Sequence, residues 1–126
     1  MIAIEALIAE TPYYRFLGLR PGPDGDLVLP IQDRHASDQP VVHGGVLAAF
    51  LEAAAVLHLR ANGAARARTG EFTTAFLRPA QLVDTTARAR PVRRGRRFAH
   101  LQITAWQSDP ATPVAVGYGT WILEPG

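Results

Sequence analysis

The feature that most constrains this chain is a predicted helix that is apolar on nearly every side. Residues 43–55 read HGGVLAAFLEAAA, and between residues 46 and 57 only Glu52 carries a charge or can hydrogen-bond through its side chain. A helix without a polar face is unstable at a protein surface, so other elements must enclose it. We therefore predict that this helix, from about Gly45 to Ala61, forms the buried centre of the fold and ends at the stop signal Asn62-Gly63.

Most of the remaining chain shows the pattern of short strands. The segments with strand-like alternation or composition are residues 18–23, 26–32, 71–77, 85–92, 98–106 and 114–123. Residues 2–10 and 13–17 are predicted as short helices, and residues 33–42 and 64–68 as loops. Strands that follow one another through short turns form an antiparallel sheet. The predicted fold class is therefore α+β, with a curved antiparallel sheet around one long central helix.

The composition is that of a single folded domain, residues 1–126. Its hydrophobic fraction of 48% supports a sizeable core. Cysteine is absent, which excludes disulfides, a thiol nucleophile and a thiolate metal site. Every basic residue is Arg, so a Schiff-base lysine is excluded as well. The net charge of +2 is too small to indicate a nucleic-acid partner.

The beginning of the sequence, MIAIEALIAETPYY, carries Glu5 and Glu10 and lacks an early basic residue. A secretory signal needs a basic start followed by an uninterrupted apolar run, so we expect no such signal. We also expect no stretch long enough to span a membrane, and no membrane partner. These expectations favour a cytoplasmic protein.

Glu52 has two interpretations. A lone carboxylate on an apolar helix can simply reach water through a gap or meet an Arg. Alternatively, it lies in a polar cleft and serves chemistry, because burying an unpaired carboxylate without such a purpose is costly. A carboxylate in a cleft is suited to act as a general base or as a nucleophile.

The sequence His43-Gly44-Gly45 begins the same helix. Glycines at a helix N-terminus leave backbone N–H groups uncovered, at the end where the partial positive charge of the helix collects. Such a group can hold a carbonyl oxygen while negative charge develops on it. The eight residues from Gly44 to Glu52 rise about 12 Å along a helix, too far for both to contact one carbonyl within one copy. The pattern therefore indicates a dimer, in which one copy supplies the N–H and the other the carboxylate.

Three strings, HGGVLAAFLE, FLRPA at 76–80 and RRGRRFA at 93–99, together resemble the hotdog-fold acyl-CoA thioesterases of the phenylacetic-acid-degradation type. Their order and spacing agree over nearly the whole chain. The resemblance implies a sheet wrapped around one helix, a homodimer formed through the sheet, and a further pairing into a dimer of dimers, a homotetramer. It also implies hydrolysis of an acyl-CoA to a free acid and CoA. No cofactor is implied beyond the coenzyme A of the substrate.

The resemblance also implies roles for residues at matching positions. The backbone N–H of Gly44 would polarise the thioester carbonyl. Glu52 from the other protomer would act as a nucleophile or as the base for water. His43 would buttress the loop and the thioester, and the hydroxyl of Thr69 would position water.

Some positions depart from the family pattern. Ser37 stands where these enzymes often carry Asn or Gln, with Gln39 close by, and Pro40 replaces a usual Gly. Val56 stands where some relatives place Thr. We therefore expect Gly45, Ser37 and Gln39 to line the substrate site, with less support for the attacking water than in some relatives.

The arginines of the RRGRRFA segment form a predicted cationic hairpin tip. They are either a solvated turn or, through Arg93 and Arg94, a contact for the phosphates of CoA. Arg78 is interpreted as a structural ion-pair partner or as another phosphate contact. His35, His58 and His100 lack metal-site spacing, so we expect no metal.

Two alternatives to hydrolysis remain open from the residues. One is a hotdog enoyl-CoA hydratase or dehydratase, which typically arranges its His and its acid differently. The other is a non-catalytic acyl-CoA-binding module on the same scaffold, for which Ser37 and Val56 leave some room.

Overall fold

The computed structural model describes residues 3–125 of the chain. Its helices are α1 (Ile4–Glu10), α2 (Pro12–Leu17) and α3 (Gly44–Ala61). Its strands are β1 (Arg20–Pro21), β2 (Leu27–Leu29), β3 (Ala64–Phe76), β4 (Thr85–Arg94), β5 (Phe98–Trp106) and β6 (Ala115–Pro125). Two short 3-10 turns, Pro23–Gly25 and Asp33–His35, lie in the connections.

The strands form one six-stranded sheet in the order β1-β2-β4-β5-β6-β3. Every neighbouring pair is antiparallel. The sheet curls around α3, which packs against β3, β4, β5 and β6. The predicted α+β class and the central position of the helix are both confirmed.

The central helix α3 is buried because the sheet covers most of its circumference. Phe50, Leu51 and Leu59 have no exposed surface. The helix ends where predicted, at Asn62, and Gly63 then adopts a φ of 107° that favours glycine. Half-buried residues at successive turns, Glu52, Val56 and Arg60, form a partly accessible stripe along α3.

The length of α3 corrects one expectation. Among the described residues it is the one helix long and apolar enough to span a membrane, with a mean hydropathy of 1.4 over 18 residues. The core helix of a globular domain passes the same test, and half of this window is buried inside the chain's own fold. Enclosure by the sheet is therefore sufficient to explain the composition.

The central strands β5 and β6 follow the predicted alternation. Ala99, Leu101 and Ile103 face α3 and are fully buried, while the residues between them face away. On β6, glycines replace side chains on the inner face. A Cβ on Gly117 would lie 2.6 Å from the Phe72 ring, so the glycine is what allows that ring to pack there.

The prediction of a loop over residues 64–68 is wrong, because β3 already begins at Ala64. Arg66 and Arg68 pair with Glu124 and Ile122 of β6 and lie on the outer face of the sheet. Their charges suggested a loop, but an outer face open to solvent accepts arginines at alternate positions without cost. The strands predicted at 18–23 and 26–32 are real but much shorter than expected.

Irregularities in the strand register alter which side chains share a face. On β3, Thr69 pairs with Trp121 and Glu71 pairs with Thr120, so Gly70 is an extra residue. Thr69 therefore faces α3 while Glu71 faces outward. Further irregularities lie between Ala64 and Arg66 on β3 and between Pro91 and Arg93 on β4.

Strand β3 is the last strand of the sheet on its side, and it is 13 residues long. Its edge away from β6 has no strand partner within residues 3–125. A long edge of this kind presents a row of backbone N–H and C=O groups to any neighbouring strand.

Candidate active site

The N-terminus of α3 is shaped by His43, which is its N-cap residue. Nδ1 of His43 accepts a hydrogen bond of 2.8 Å from the backbone N–H of Gly45. The ring is therefore bound as the tautomer whose Nδ1 has no proton. The backbone N–H of Gly44 makes no hydrogen bond to any other described residue. One donor at the positive end of α3 is thus left available, and it belongs to Gly44.

Three backbone hydrogen bonds hold this helix start in position. The N–H of His43 donates to the carbonyl of His35 at 2.8 Å, and the N–H of Val42 donates to the carbonyl of Ala80 at 2.9 Å. The N–H of Leu77 donates to the carbonyl of Val114 at 2.9 Å. The segment FLRPA is thereby fixed beside Gly44, which explains why the two strings occur together.

A cavity of about 420 Å³ lies at this junction and is lined by Gly44, Leu47, Phe76, Arg78 and Pro79, among others. The Phe76 ring covers Gly44 so closely that a Cβ there would lie 3.4 Å from it. Phe76 is nevertheless 55% exposed. Gly44 and Phe76 line the same cavity, so a group bound there would contact both residues.

Glu52 lies two turns further along α3 and is half-buried. Its Oε2 accepts a hydrogen bond of 2.7 Å from Oγ1 of Thr69, on the inner face of β3. The structure thus brings together two predicted site residues that are 17 positions apart in the sequence. The bond fixes one carboxylate oxygen and orients the side chain toward the open edge of the sheet, where β3 lies.

Tyr14 on α2 contributes a polar group close to Glu52. Burial, followed by the negative charge of Glu52, raises the pKa of Tyr14 to about 12, and the charge of Arg60 partly opposes this. The phenol therefore stays protonated beside the half-buried stripe of α3. Nη1 of Arg60 pairs with Glu10 at 3.1 Å, which closes the far end of the stripe.

Ser37 and Gln39 are occupied within their own loop. The Ser37 hydroxyl donates to the carbonyl of Gln39 at 3.0 Å and accepts from its N–H at 2.9 Å. Neither residue lines the cavity beside Gly44. The Ser37 side chain therefore stabilises its own loop through the backbone of Gln39.

Arg93 and Arg94, which were predicted to contact the CoA phosphates together, lie on opposite faces of the sheet. Arg93 pairs with His100 on the outer face of the sheet, and Arg94 pairs with Ala99, whose side chain is buried against α3. Arg93 lines a cavity of about 720 Å³ with Arg96, Arg97, Phe98, His100 and Thr120. Arg94 reaches the other side instead, where its charge, after burial, lowers the pKa of His58.

Arg78 makes no ion pair within residues 3–125 and lies beside Gly44. Its interpretation as a structural ion-pair partner therefore finds no support. Over the same residues, no cluster of three or more His, Asp or Glu side chains could hold a metal ion.

His35 lies in a short 3-10 turn within the segment predicted as a loop, and its side chain is fully buried. Its Nδ1 accepts from the backbone N–H of Gln32 at 3.0 Å, and its carbonyl holds His43. Burial, with a smaller contribution from the charge of Arg34, lowers the pKa of His35. No sequence signal distinguished this histidine, because its burial depends on how the loop folds back.

The site contains the Gly44 N–H, which has no acceptor among residues 3–125, and the Glu52 carboxylate, which is held by the Thr69 hydroxyl. A cavity is lined by Gly44. A donor of this kind can stabilise an oxyanion, and a carboxylate can activate water or attack a carbonyl. About 12 Å of helix separates Gly44 from Glu52 within the chain, so they cannot serve one carbonyl together in one copy.

Residues 31–122 match the family model of the acyl-CoA thioesterase N-terminal domain. No protein of curated function matches the chain significantly.

Several solved structures share the fold. A thioesterase from Haemophilus influenzae is 22% identical with a TM-score of 0.86, covering 99% of this chain and 92% of that one. The Escherichia coli PaaI protein of the phenylacetic acid degradation operon is 20% identical with a TM-score of 0.85, covering 97% and 91%. A Bacillus halodurans protein crystallised with CoA is 20% identical with a TM-score of 0.81, covering 96% and 85%. These likenesses confirm the predicted hotdog fold.

Proposed function

Because the chain belongs to the acyl-CoA thioesterase family and is therefore a thioester hydrolase, we propose that it hydrolyses an acyl-CoA through Gly44 and Glu52. The observation that carries the proposal is Gly44 at the positive end of α3: its N–H has no acceptor among residues 3–125, and the residue lines a cavity. The CoA bound to the Bacillus halodurans protein supports a CoA thioester as the substrate. Family membership favours hydrolysis over the hydratase and the non-catalytic binding module.

In this mechanism the Gly44 N–H donates to the thioester carbonyl oxygen. Glu52 takes a proton from water, the water oxygen bonds to the carbonyl carbon, and the π electrons move to the oxygen held by Gly44. The intermediate re-forms the carbonyl as the C–S bond breaks, and the departing CoA thiolate takes the proton from Glu52. If Glu52 attacks directly, an anhydride forms first and water then cleaves it.

The two groups would come from different protomers. The open edge of β3 supports this part of the proposal, since two such edges can pair about a twofold axis. Thr69 lies on the same strand and holds Glu52. Strand β3 would therefore both form the dimer interface and hold the Glu52 carboxylate through Thr69. A further pairing of two dimers would give the tetramer.

The remaining predicted contacts have unequal support. Arg78 lies beside Gly44 and has no carboxylate partner in the described part of the chain, so it is suited to a CoA phosphate. The Gly45 N–H is already bound to His43, so its role is to fix that side chain. Ser37 and Gln39 would support the substrate site indirectly through their loop.

Two variants remove the proposed groups with little change in shape. Glu52→Gln removes the carboxylate charge, and we expect it to lower kcat about 100-fold or more. Gly44→Pro removes the N–H at the first helical position, where proline is tolerated. The preceding His43 has φ −60° and ψ 134°, a conformation compatible with a following proline. Gly44→Ala keeps the N–H and is the matched control.

A mixed dimer then tests whether the site crosses the interface. Chains with Gly44→Pro and chains with Glu52→Gln carry different affinity tags, are co-expressed, and are purified through both tags. Each mixed dimer would contain one intact site and one site lacking both groups, so it should recover about half of wild-type activity per dimer. Mixed dimers as inactive as either parent would show that the two groups do not cooperate across protomers.

A further inference from the structure

The cavity at the tip of the β4–β5 hairpin lies on the outer face of the sheet. It measures about 720 Å³ and is lined by Arg93, Arg96, Arg97, Phe98, His100 and Thr120. Ala99 and Leu101 have no exposed surface because they face α3, so His100 between them faces away. The backbone of the sheet therefore separates this cavity from Glu52.

A chain of hydrogen bonds orients His100 within the cavity. Oγ1 of Thr120 lies 2.9 Å from Nδ1 of His100 and 3.3 Å from Oε1 of Glu71. The Glu71 carboxylate can only accept, so the single hydroxyl proton of Thr120 is donated to it. The hydroxyl oxygen must then accept from Nδ1–H of His100. This leaves Nε2 as the ring atom available to a ligand.

The groups around His100 favour an anion. Arg93 lies across from it on β4, Arg97 belongs to the same lining, and Glu71 faces it only through Thr120. On the neighbouring rows of the outer face lie Arg68 and Tyr118. Three arginines thus line the cavity beside His100 and make no ion pair among residues 3–125.

The chemistry of the lining identifies the class of ligand. One guanidinium group can bind two phosphate oxygens at the same time, and three arginines line this cavity. Phe98 adds an aromatic ring that is 51% exposed, and the face of such a ring can stack on a nucleobase. Phosphate groups and an aromatic base occur together in nucleotides.

We propose that this outer-face cavity binds a nucleotide, with its phosphates on the three arginines, its base on Phe98 and a ribose hydroxyl donating to Nε2 of His100. The nucleotide is either the 3′-phosphorylated ADP end of the CoA substrate or a separate molecule. In the first case the inference rests on the proposed function. A nucleotide that contains no thioester cannot be hydrolysed by the proposed reaction. Its binding can therefore be measured independently of catalytic activity.

The direct test is calorimetric binding of adenosine 3′,5′-bisphosphate to the full chain at low ionic strength. We expect Arg96→Gln combined with Arg97→Gln to weaken binding about tenfold, through the loss of charge-assisted hydrogen bonds. Arg66→Gln combined with Arg90→Gln removes the same charge from the outer face outside the cavity and should leave binding unchanged. Equal losses in both double variants, or no loss in the first, would overturn the proposal.

A second measurement examines His100. His100→Gln retains a donor for Thr120 but removes Nε2 from the cavity. We expect this variant to bind adenosine 3′,5′-bisphosphate about threefold to tenfold more weakly than the wild type, through the loss of one hydrogen bond. An unchanged affinity would exclude His100 as a ligand.

The source of the nucleotide is decided by competition. If adenosine 3′,5′-bisphosphate inhibits acyl-CoA hydrolysis competitively, and pantetheine thioesters show a higher KM than their CoA counterparts, the nucleotide end of CoA occupies the cavity. If the bisphosphate binds and leaves hydrolysis of acyl-CoA unaffected, the ligand is a separate nucleotide. ADP is then the comparison that tests the need for the 3′-phosphate.

Discussion

Oγ1 of Thr69 donates a hydrogen bond of 2.7 Å to Oε2 of Glu52 and so ties the edge strand β3 to the buried helix α3. The carboxylate can therefore adopt only a few orientations. In the proposed mechanism, Thr69 is a positioning residue for Glu52. The family resemblance also implies that Thr69 positions the attacking water, and this role stays a prediction.

Replacing Thr69 with Val should lower kcat about tenfold, because the carboxylate loses the hydroxyl that orients it while its own charge remains. KM should change little, since the cavity beside Gly44 is untouched. The assay is thiol release from a panel of acyl-CoAs. Thr69→Ser should restore much of the rate, and Thr73→Val, on the outer face of the same strand, is the control. A merely structural role would lower the folding stability of Thr69→Val while leaving kcat unchanged.

The buried His35 should make the fold sensitive to acid. Its pKa in the folded protein is lowered, chiefly by burial, so the unfolded chain binds a proton that the folded chain does not. The free energy of unfolding is then unaffected above about pH 6.5, and it declines as pH falls from there toward the folded-state value. The measurement is urea unfolding at a series of pH values between 5 and 8.

His35→Asn provides the comparison, because its carbonyl oxygen can still accept from the Gln32 N–H. This variant should be less stable overall yet lose part of the acid dependence. His58, whose pKa is also lowered, contributes a slope of the same sign that remains in the variant. If the free energy of unfolding of His35→Asn depended on pH as that of the wild type does, the acid sensitivity would come from groups other than His35.

The ion pair between Asp26 and Arg88 should stabilise the hairpin that packs on β4. The Asp26 side chain is 4% exposed and accepts two hydrogen bonds, of 2.8 Å and 2.9 Å. Asp26→Asn should lower the free energy of unfolding by about 2 kcal/mol, since a buried carboxylate loses charge-assisted bonds. Asp84→Asn, in the exposed pair with Arg20, should change little. Similar effects of the two substitutions would show that burial does not strengthen the first pair.

Gly119 should not tolerate a side chain. A Cβ at this position would lie 2.5 Å from the carbonyl oxygen of Glu71 and 2.9 Å from Trp121, neither of which can move aside freely. We expect Gly119→Ala to lower the free energy of unfolding by about 2–3 kcal/mol through overpacking. Gly95→Ala, whose Cβ would meet its nearest atom at 3.4 Å, should be much milder. Urea unfolding of the two variants gives the comparison.

The central elements could be predicted because a single physical reason determined each of them. The helix 44–61 had to be enclosed because it has no polar face, and β5 has the predicted limits because its alternation is regular. The likeness of three strings to a known family then proposed Gly44 and Glu52 together. The sequence alone placed them on one helix, too far apart for one copy.

What could not be predicted depends on contacts between distant segments. Arg66 and Arg68 suggested a loop, although arginines on the outer face of an edge strand have the same local pattern. The burial of His35 depends on a loop that folds back to hold His43. The separation of Arg93 from Arg94 follows from where β4 pairs with β5, which neither residue reveals locally.

The extra residue Gly70 shifts the phase of strand β3. In a regular strand, positions 69 and 71 would point to the same side, yet here Thr69 reaches Glu52 and Glu71 reaches Thr120 on the opposite side. Deleting Gly70 would keep the pairs Thr69–Trp121 and Glu71–Thr120 and would leave both faces of the strand as they are. Deleting a regularly paired residue such as Thr73 would instead exchange the faces of the residues on one side of it. The length of this strand is therefore as closely constrained as the identity of its side chains, except at a bulge, where the strand can lose its extra residue and keep its register.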